Sequence, residues 1–317
     1  MVIIITGVHG FVGSNLVKAL SKEHIIYGLD IVSPKKDGVE HTFNWSVLED
    51  LFDLELDTII HLAGIAHDTK NQTEAQKYFD VNLGLTQKIF DFFLHSHIKK
   101  FIFFSSVKAA ADRVEGDVLT EDVVPLPKGP YGESKIAAEN YILSKQAEWE
   151  VKGKEVYILR PCMIHGPGNK GNLNLLYNVV RKGIPWPLGS FENRRTFTSI
   201  DNLCFVVNGL LTKPIASGIY HMADDEAIST NELIEIICGV LGKKTRIWHI
   251  SKGFMEGCAK LGTLLHLPLN TDRLQKLTEN YVASNQKIKD ALGIEVMPVR
   301  AREGLKKTIA SFSLIDN

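Results

Sequence analysis

Five short apolar runs constrain this chain more than any other feature. "VIIIT" (2–6), "IIYGLD" (25–30), "TIIHLA" (58–63), "FIFFSS" (101–106) and "VYILRP" (156–161) are rich in β-branched and aromatic residues. They are nearly continuous rather than alternating, as strands buried on both faces must be. Longer segments with helical spacing separate them, near 11–22, 74–97 and 132–149. Strand–helix alternation of this kind predicts an α/β fold with a parallel sheet covered by helices on both sides. Ligands of such sheets bind beyond the carboxyl ends of the strands. Thr6-Gly7, Asp30, Ala63-Gly64, Ser105-Ser106 and Arg160-Pro161 stand at those ends.

After residue 161 the texture changes. "CMIHGPGNKGNL" and "RKGIPWPLGSFENRR" are loop-rich, and no regular alternation follows. The reading is a sheet domain over 1–161 and a smaller C-terminal substrate-binding domain over 162–317, with a segment at about 196–215 returning to the first. A length of 317 residues suits two modest domains, and 44% hydrophobic with 23% charged residues is enough to fill their cores.

The formal net charge of -1 argues against a nucleic-acid or anionic-membrane partner. Four cysteines, at 162, 204, 238 and 258, form no Cys-x-x-Cys and read as buried thiols of a reducing compartment. The 11 histidines show no metal-ligand spacing, so no metal is expected. "MVIIITG" is too short for the apolar core of a signal peptide and has no basic lead, which points to the cytoplasm. The least polar stretch, "GFMEGCAKLGTLLHLP" (253–268), reads as a core or lid helix of the C-terminal domain.

Between the first strand and the first helix lies "TGVHGFVG", which sets Gly7, Gly10 and Gly13 at three-residue spacing. Glycines there let the chain turn tightly and let a pyrophosphate reach the helix N-terminus. The spacing alone is weak, but its place at the head of an alternating chain predicts a Rossmann dinucleotide site. Asp30 ends the second strand, where a carboxylate takes the adenosine ribose hydroxyls and repels a 2′-phosphate. That favours NAD over NADP, although Lys35 and Lys36 follow closely.

"GPYGESKIAAE" (129–139) opens a helix with Tyr131 and Lys135 on one face. Tyr141 and Lys145 repeat the spacing deeper in the helix, away from the strand ends. The first pair is read as chemical, the second as structural. To act as a base at neutral pH a tyrosine must fall from about 10 towards 7, a change of about 4 kcal/mol. A nearby ammonium favours the phenolate. Ser106, at the end of the fourth apolar run, is placed to hydrogen-bond the substrate oxygen.

These residues, with "HLAG" (61–64), Val81-Asn82, Arg160-Pro161 and "RRTFTSIDN" (194–202), resemble the extended short-chain dehydrogenases/reductases that act on nucleotide sugars. The resemblance covers nearly the whole chain and weakens beyond about residue 225. It implies a catalytic triad of Ser106, Tyr131 and Lys135. It places Gly7, Gly10, Phe11, Val12, Gly13, Asp30, Leu62, Ala63, Gly64, Asn82 and Lys135 on NAD. Asn44, beside Trp45, stands where the family often carries an adenine-binding Asp. UDP contacts fall on Asn172, Leu188, Arg194 and Arg273; an arginine fork suits a diphosphate. His67 and His165 are open between a place in the sugar pocket and a structural role. A homodimer would pair through the helices at 74–97 and 131–148.

The 4,6-dehydratases of that family carry Asp-Glu directly after the catalytic Ser/Thr, where this chain has Val107-Lys108. That argues against dehydration, which stays as an alternative, and favours two reactions at C4 of a UDP-linked hexose or N-acetylhexosamine, both suited to bacterial surface-polysaccharide precursors. A 4-epimerase removes and returns the hydride; a 4-ketosugar reductase exchanges its cofactor each turnover. The missing Asp-Glu and the "SSVK" sequence fit the reductase slightly better. A non-catalytic NAD-binding redox sensor is a different class, and such a protein would have no reason to keep Ser106, Tyr131 and Lys135 together.

Overall fold

The computed structural model describes residues 1–66, 74–169, 171–265, 267 and 269–313. Its main sheet has strands β1 (Val2–Thr6), β2 (Ile25–Asp30), β3 (Thr42–Asn44), β4 (Thr58–His61), β5 (Lys100–Phe104), β6 (Glu155–Pro161) and β9 (Gly218–Met222). All pair in parallel, in the order β3-β2-β1-β4-β5-β6-β9. A separate pair joins β7 (Met163–His165) to β8 (Phe197–Ser199). The expected doubly wound Rossmann sheet is thus present. The chain winds outward from β1 to β3 and then returns to place β4 against β1. That reversal opens the crevice in which such sheets bind ligands.

The helices are α1 (Phe11–Leu20), α2 (Ala75–Tyr78), α3 (Gly84–His95), α4 (Val107–Ala110), α5 (Pro130–Ser144), α6 (Gln146–Val151) and α7 (Asn172–Arg181). Beyond these come α8 (Ile200–Thr212), α9 (Thr230–Val240), α10 (Lys252–Leu264), α11 (Thr271–Thr278), α12 (Gln286–Leu292) and α13 (Ala301–Ser313). The strands feed two cores because successive side chains point to opposite faces. Ile3 and Ile5 face α1, α8 and α12, while Ile4 between them faces α3 and α5. This is why the runs carry no polar alternation.

Some segments depart from the sequence reading. The 74–97 helix is broken by a π turn at Phe79–Leu83, and the 132–149 helix divides at Lys145 into α5 and α6. Strands β3 and β9 have no counterpart in the five runs. The material on the sheet is α8, β9 and α12, reaching further along the chain than the expected 196–215. The remaining C-terminal elements, α7, α9, α10, α11 and α13, close a core of their own around Trp186, Leu188 and Phe197. In α10, Met255 and Ala259 join that core, but Phe254, Leu261 and Leu264 are exposed, so only one face answers to a core helix. No described helix is long and apolar enough to cross a membrane.

Candidate active site

The glycine turn sits at the β1/β4 reversal. Gly7 has φ +70° and its N–H donates to the Leu29 carbonyl (2.9 Å), fastening the turn to the end of β2. A Cβ on Gly13 would lie 2.5 Å from the Gly7 carbonyl oxygen and 2.8 Å from Val8 Cα, both backbone atoms that cannot yield. Helix α1 starts at Phe11 with no side-chain cap on its N-terminus, leaving first-turn N–H groups of Phe11, Val12 and Gly13 to face a ligand. The cradle therefore fits the pyrophosphate of a dinucleotide.

Asp30 lies beside this turn, its carboxylate accepting from the N–H groups of His9 (3.1 Å) and Ile31 (2.7 Å). Lys36 reaches the other side, donating to Ser14 Oγ at 2.6 Å. Burial lowers its ammonium pKa and Lys18 adds to this, with Asp30 opposing. Asn44 turns its amide oxygen to the Ser46 N–H (3.1 Å) as the cap of a short 3₁₀ turn. Trp45 meets the His61 ring edge-on at 6.3 Å.

A buried relay holds the next loop. Thr6 Oγ1 accepts from the N–H groups of Leu62 (3.1 Å) and Ala63 (2.9 Å), so its own proton points to His61 Nδ1 at 2.7 Å. The imidazole then donates from Nε2 to Thr86 Oγ1 (3.0 Å), and Thr86 donates to the Asn82 carbonyl (2.6 Å). Burial, with the Lys135 cation adding to it, pushes the His61 pKa down to about 3, consistent with a neutral ring. Asn82, in the π turn, accepts from the Ile65 N–H (2.8 Å) and donates to Ser134 Oγ (3.0 Å). A Cβ on Gly64 would stand 2.7 Å from Asn82 Oδ1 and 3.3 Å from Lys135 Nζ. Leu62-Ala63-Gly64, Asn82 and Lys135 are thus brought together.

The three expected catalytic side chains meet at the end of β5. Ser106 follows that strand, accepts from the Lys108 N–H (3.2 Å) and hydrogen-bonds the Tyr131 hydroxyl. Lys135 is buried and donates to the Phe104 carbonyl at 2.9 Å. Burial lowers its pKa to about 8, with Glu139 opposing. Burial likewise raises the Tyr131 phenol pKa, with the Ser106 bond acting against it. Unaided, this pocket holds Tyr131 protonated, so any phenolate depends on added positive charge. Tyr141 instead bonds Asp91 of α3, and Lys145 lies 5.9 Å from its ring.

Two features were not read from the sequence. Glu139, one turn beyond Lys135, is fully buried and accepts from Ser105 and from Arg160, whose Nη2 lies 2.6 Å away and Nε 3.0 Å. It ties α5 to the ends of β5 and β6 directly behind the triad. Tyr281, from the C-terminal part, donates to the carbonyls of Val107 (3.1 Å) and Ala111 (2.8 Å), gripping the turn after Ser106. Lys108 lies over its ring at 4.4 Å.

The expected UDP residues are less gathered. Arg194 is exposed, its N–H held by Asn280 (2.8 Å), whereas Arg195 turns back to the Lys276 carbonyl (2.7 Å). Arg273 is exposed near the start of α11. Leu188 is buried in the C-terminal core. Asn172 opens α7, but its side chain, like all of His67, lies outside the described residues. His165 is not a pocket residue: it is fully buried between Thr308 (2.9 Å) and Asp224 (3.3 Å).

Residues 3–223 match the model of the NAD dependent epimerase/dehydratase family. The chain belongs to this family. The resemblance to extended short-chain dehydrogenases/reductases is borne out, and with it the reading as an NAD-dependent nucleotide-sugar enzyme. A UDP-glucose 4-epimerase of Vibrio cholerae is 30% identical over 99% of this chain and 96% of its own length. A GDP-6-deoxy-D-mannose reductase of Pseudomonas aeruginosa is 25% identical over 74% of this chain and 79% of its own. Among solved structures, a UDP-glucuronic acid 4-epimerase from Bacillus cereus in complex with NAD superposes with a TM-score of 0.77, at 20% identity, across the whole of both chains.

Proposed function

We propose that this family member is a UDP-sugar 4-epimerase, acting on a UDP-linked hexose or N-acetylhexosamine for surface-polysaccharide synthesis. The observation that carries the reading is the meeting of Ser106, Tyr131 and Lys135 beside the glycine turn, with Val107-Lys108 where a dehydratase needs an acidic pair. Full-length similarity to a 4-epimerase moves the balance away from the reductase that "SSVK" slightly favoured.

NAD, held by Gly7, Gly10, Phe11, Val12, Gly13, Asp30, Leu62, Ala63, Gly64 and Asn82, would supply hydride chemistry at C4 of the sugar. The protein's own work is proton transfer and orientation. Tyr131 Oη takes the C4 hydroxyl proton and returns it, while Ser106 Oγ hydrogen-bonds the same oxygen. The Lys135 ammonium lowers the cost of the phenolate. Arg194 and Arg273 are assigned to the diphosphate, and Asn44 and Trp45 to the adenine end. Helices α3 and α5 are the surfaces for a homodimer.

Incubation with UDP-GlcNAc and UDP-GalNAc, or UDP-glucose and UDP-galactose, without added cofactor tests the reaction. Interconversion of a pair without net NADH consumption is expected. A 4-keto sugar reduced only at the expense of added NADH or NADPH would replace the epimerase with the reductase. Asp30 makes a separate expectation: NAD should bind at least tenfold more tightly than NADP, since a carboxylate facing a 2′-phosphate costs more than about 1.4 kcal/mol. Titration of both cofactors checks it, and tighter NADPH binding would shift the choice to Lys36.

A further inference from the structure

Helix α10 buries Met255, Ala259 and Gly262 along one side. Its exposed side carries apolar residues among Lys252, Glu256 and Lys260. Phe254, Leu261 and Leu264 are 62%, 54% and 73% exposed, and Leu265 and Leu267 continue the patch past the helix end. By the helical period Phe254, Leu261 and Leu264 fall on one outward side, with Gly257 between them and the exposed Glu256 and Lys260 flanking it. Single exposed leucines are ordinary, but a contiguous stripe marks a surface that is covered in use.

The segment that leads into α10 carries the chemistry of what covers it. Lys243, Lys244 and Arg246 line a cleft of about 220 Å³ together with Val180 and Ile184, and Arg181 and Lys182 follow Val180 in the chain. Among the described residues, Lys182, Lys243, Lys244 and Arg246 form no ion pair. In a chain of formal charge -1, this is a local excess of cations. Ile247 pairs with Trp186 and packs inward, so Arg246 and Trp248 share the opposite side of that segment. Trp248 is 56% exposed, and α10 begins four residues later with Lys252.

We propose that the basic cleft, Trp248 and the outer stripe of α10 form one surface that seats the protein on an anionic lipid bilayer. The cations meet headgroup phosphates, while the tryptophan and the stripe enter the boundary with the acyl chains. The formal charge of -1 is an average over the chain and leaves room for a local cluster of this kind. The proposal does not depend on which sugar is turned over.

The test is co-sedimentation of the full chain with vesicles of phosphatidylethanolamine and phosphatidylglycerol (3:1), against vesicles of phosphatidylcholine alone. Binding to the anionic vesicles, at least tenfold weaker on the neutral ones and weakened by salt, is the expected result. The double variant L261D/L264D should lose at least tenfold in binding with unchanged thermal melting and unchanged mass by light scattering. K243E/K244E should behave alike. Wild-type protein that stays in the supernatant with anionic vesicles overturns the proposal. So does a halved mass of L261D/L264D, which would give the stripe to a second copy of the chain.

Discussion

Tyr131→Phe is expected to lower turnover about 10³-fold, within the range a positioned proton donor and acceptor contributes, while NAD affinity is unchanged. The ring stays and only the hydroxyl is lost, so the edge contact with Tyr78 at 6.2 Å persists. The internal control is Tyr141→Phe. Its hydroxyl bonds Asp91, and burial followed by that carboxylate pushes its pKa up to about 12, which leaves it no role in proton transfer. Losing that bond should cost about 1 kcal/mol of stability and nothing in turnover. Steady-state kinetics with a cofactor titration on both variants decides the matter. If Tyr141→Phe were the inactive one, the site would have to be moved along the helix.

Glu139→Ala is expected to be the most destabilising substitution, by about 3–5 kcal/mol, because it strands the Arg160 guanidinium without its counter-charge. The pair is buried at both ends, with a side-chain exposure of 2% for Arg160 and 0% for Glu139. Ser105 loses its acceptor in the same step, and Lys135 loses the nearby carboxylate that supports its charge. Replacing both partners, as in Glu139→Met with Arg160→Met, should recover much of the loss, since no buried charge then remains. Denaturant unfolding of the three proteins measures this. A single variant as stable as the wild type would show that the buried pair contributes nothing.

Much of this architecture was legible in the sequence because its signals are local. A strand buried on both faces must be apolar at every position, so β1, β2, β4, β5 and β6 declared themselves as continuous runs. The glycine turn depends on the absence of side chains at fixed spacing, and Tyr131 with Lys135 depends on one helical turn. Strand β3 has only three residues and β9 reads GIYHM, too short or too mixed to stand out.

Glu139 shows where such reading stops. In "KIAAEN" it looks like any surface glutamate, and only folding brings Ser105 and Arg160, 34 and 21 residues away, to its carboxylate. Tyr281 grips the Ser106 turn across 170 residues, and Arg194 stays exposed while its neighbour Arg195 is captured by α11. The outward stripe of α10 is the reverse case: its apolar spacing is plain in the sequence, but spacing does not say which side meets the core. Local backbone chemistry and burial periodicity were therefore settled by the residues alone. Partner choice among charged and amphipathic side chains was decided by tertiary structure, because it depends on desolvation and contact across the fold.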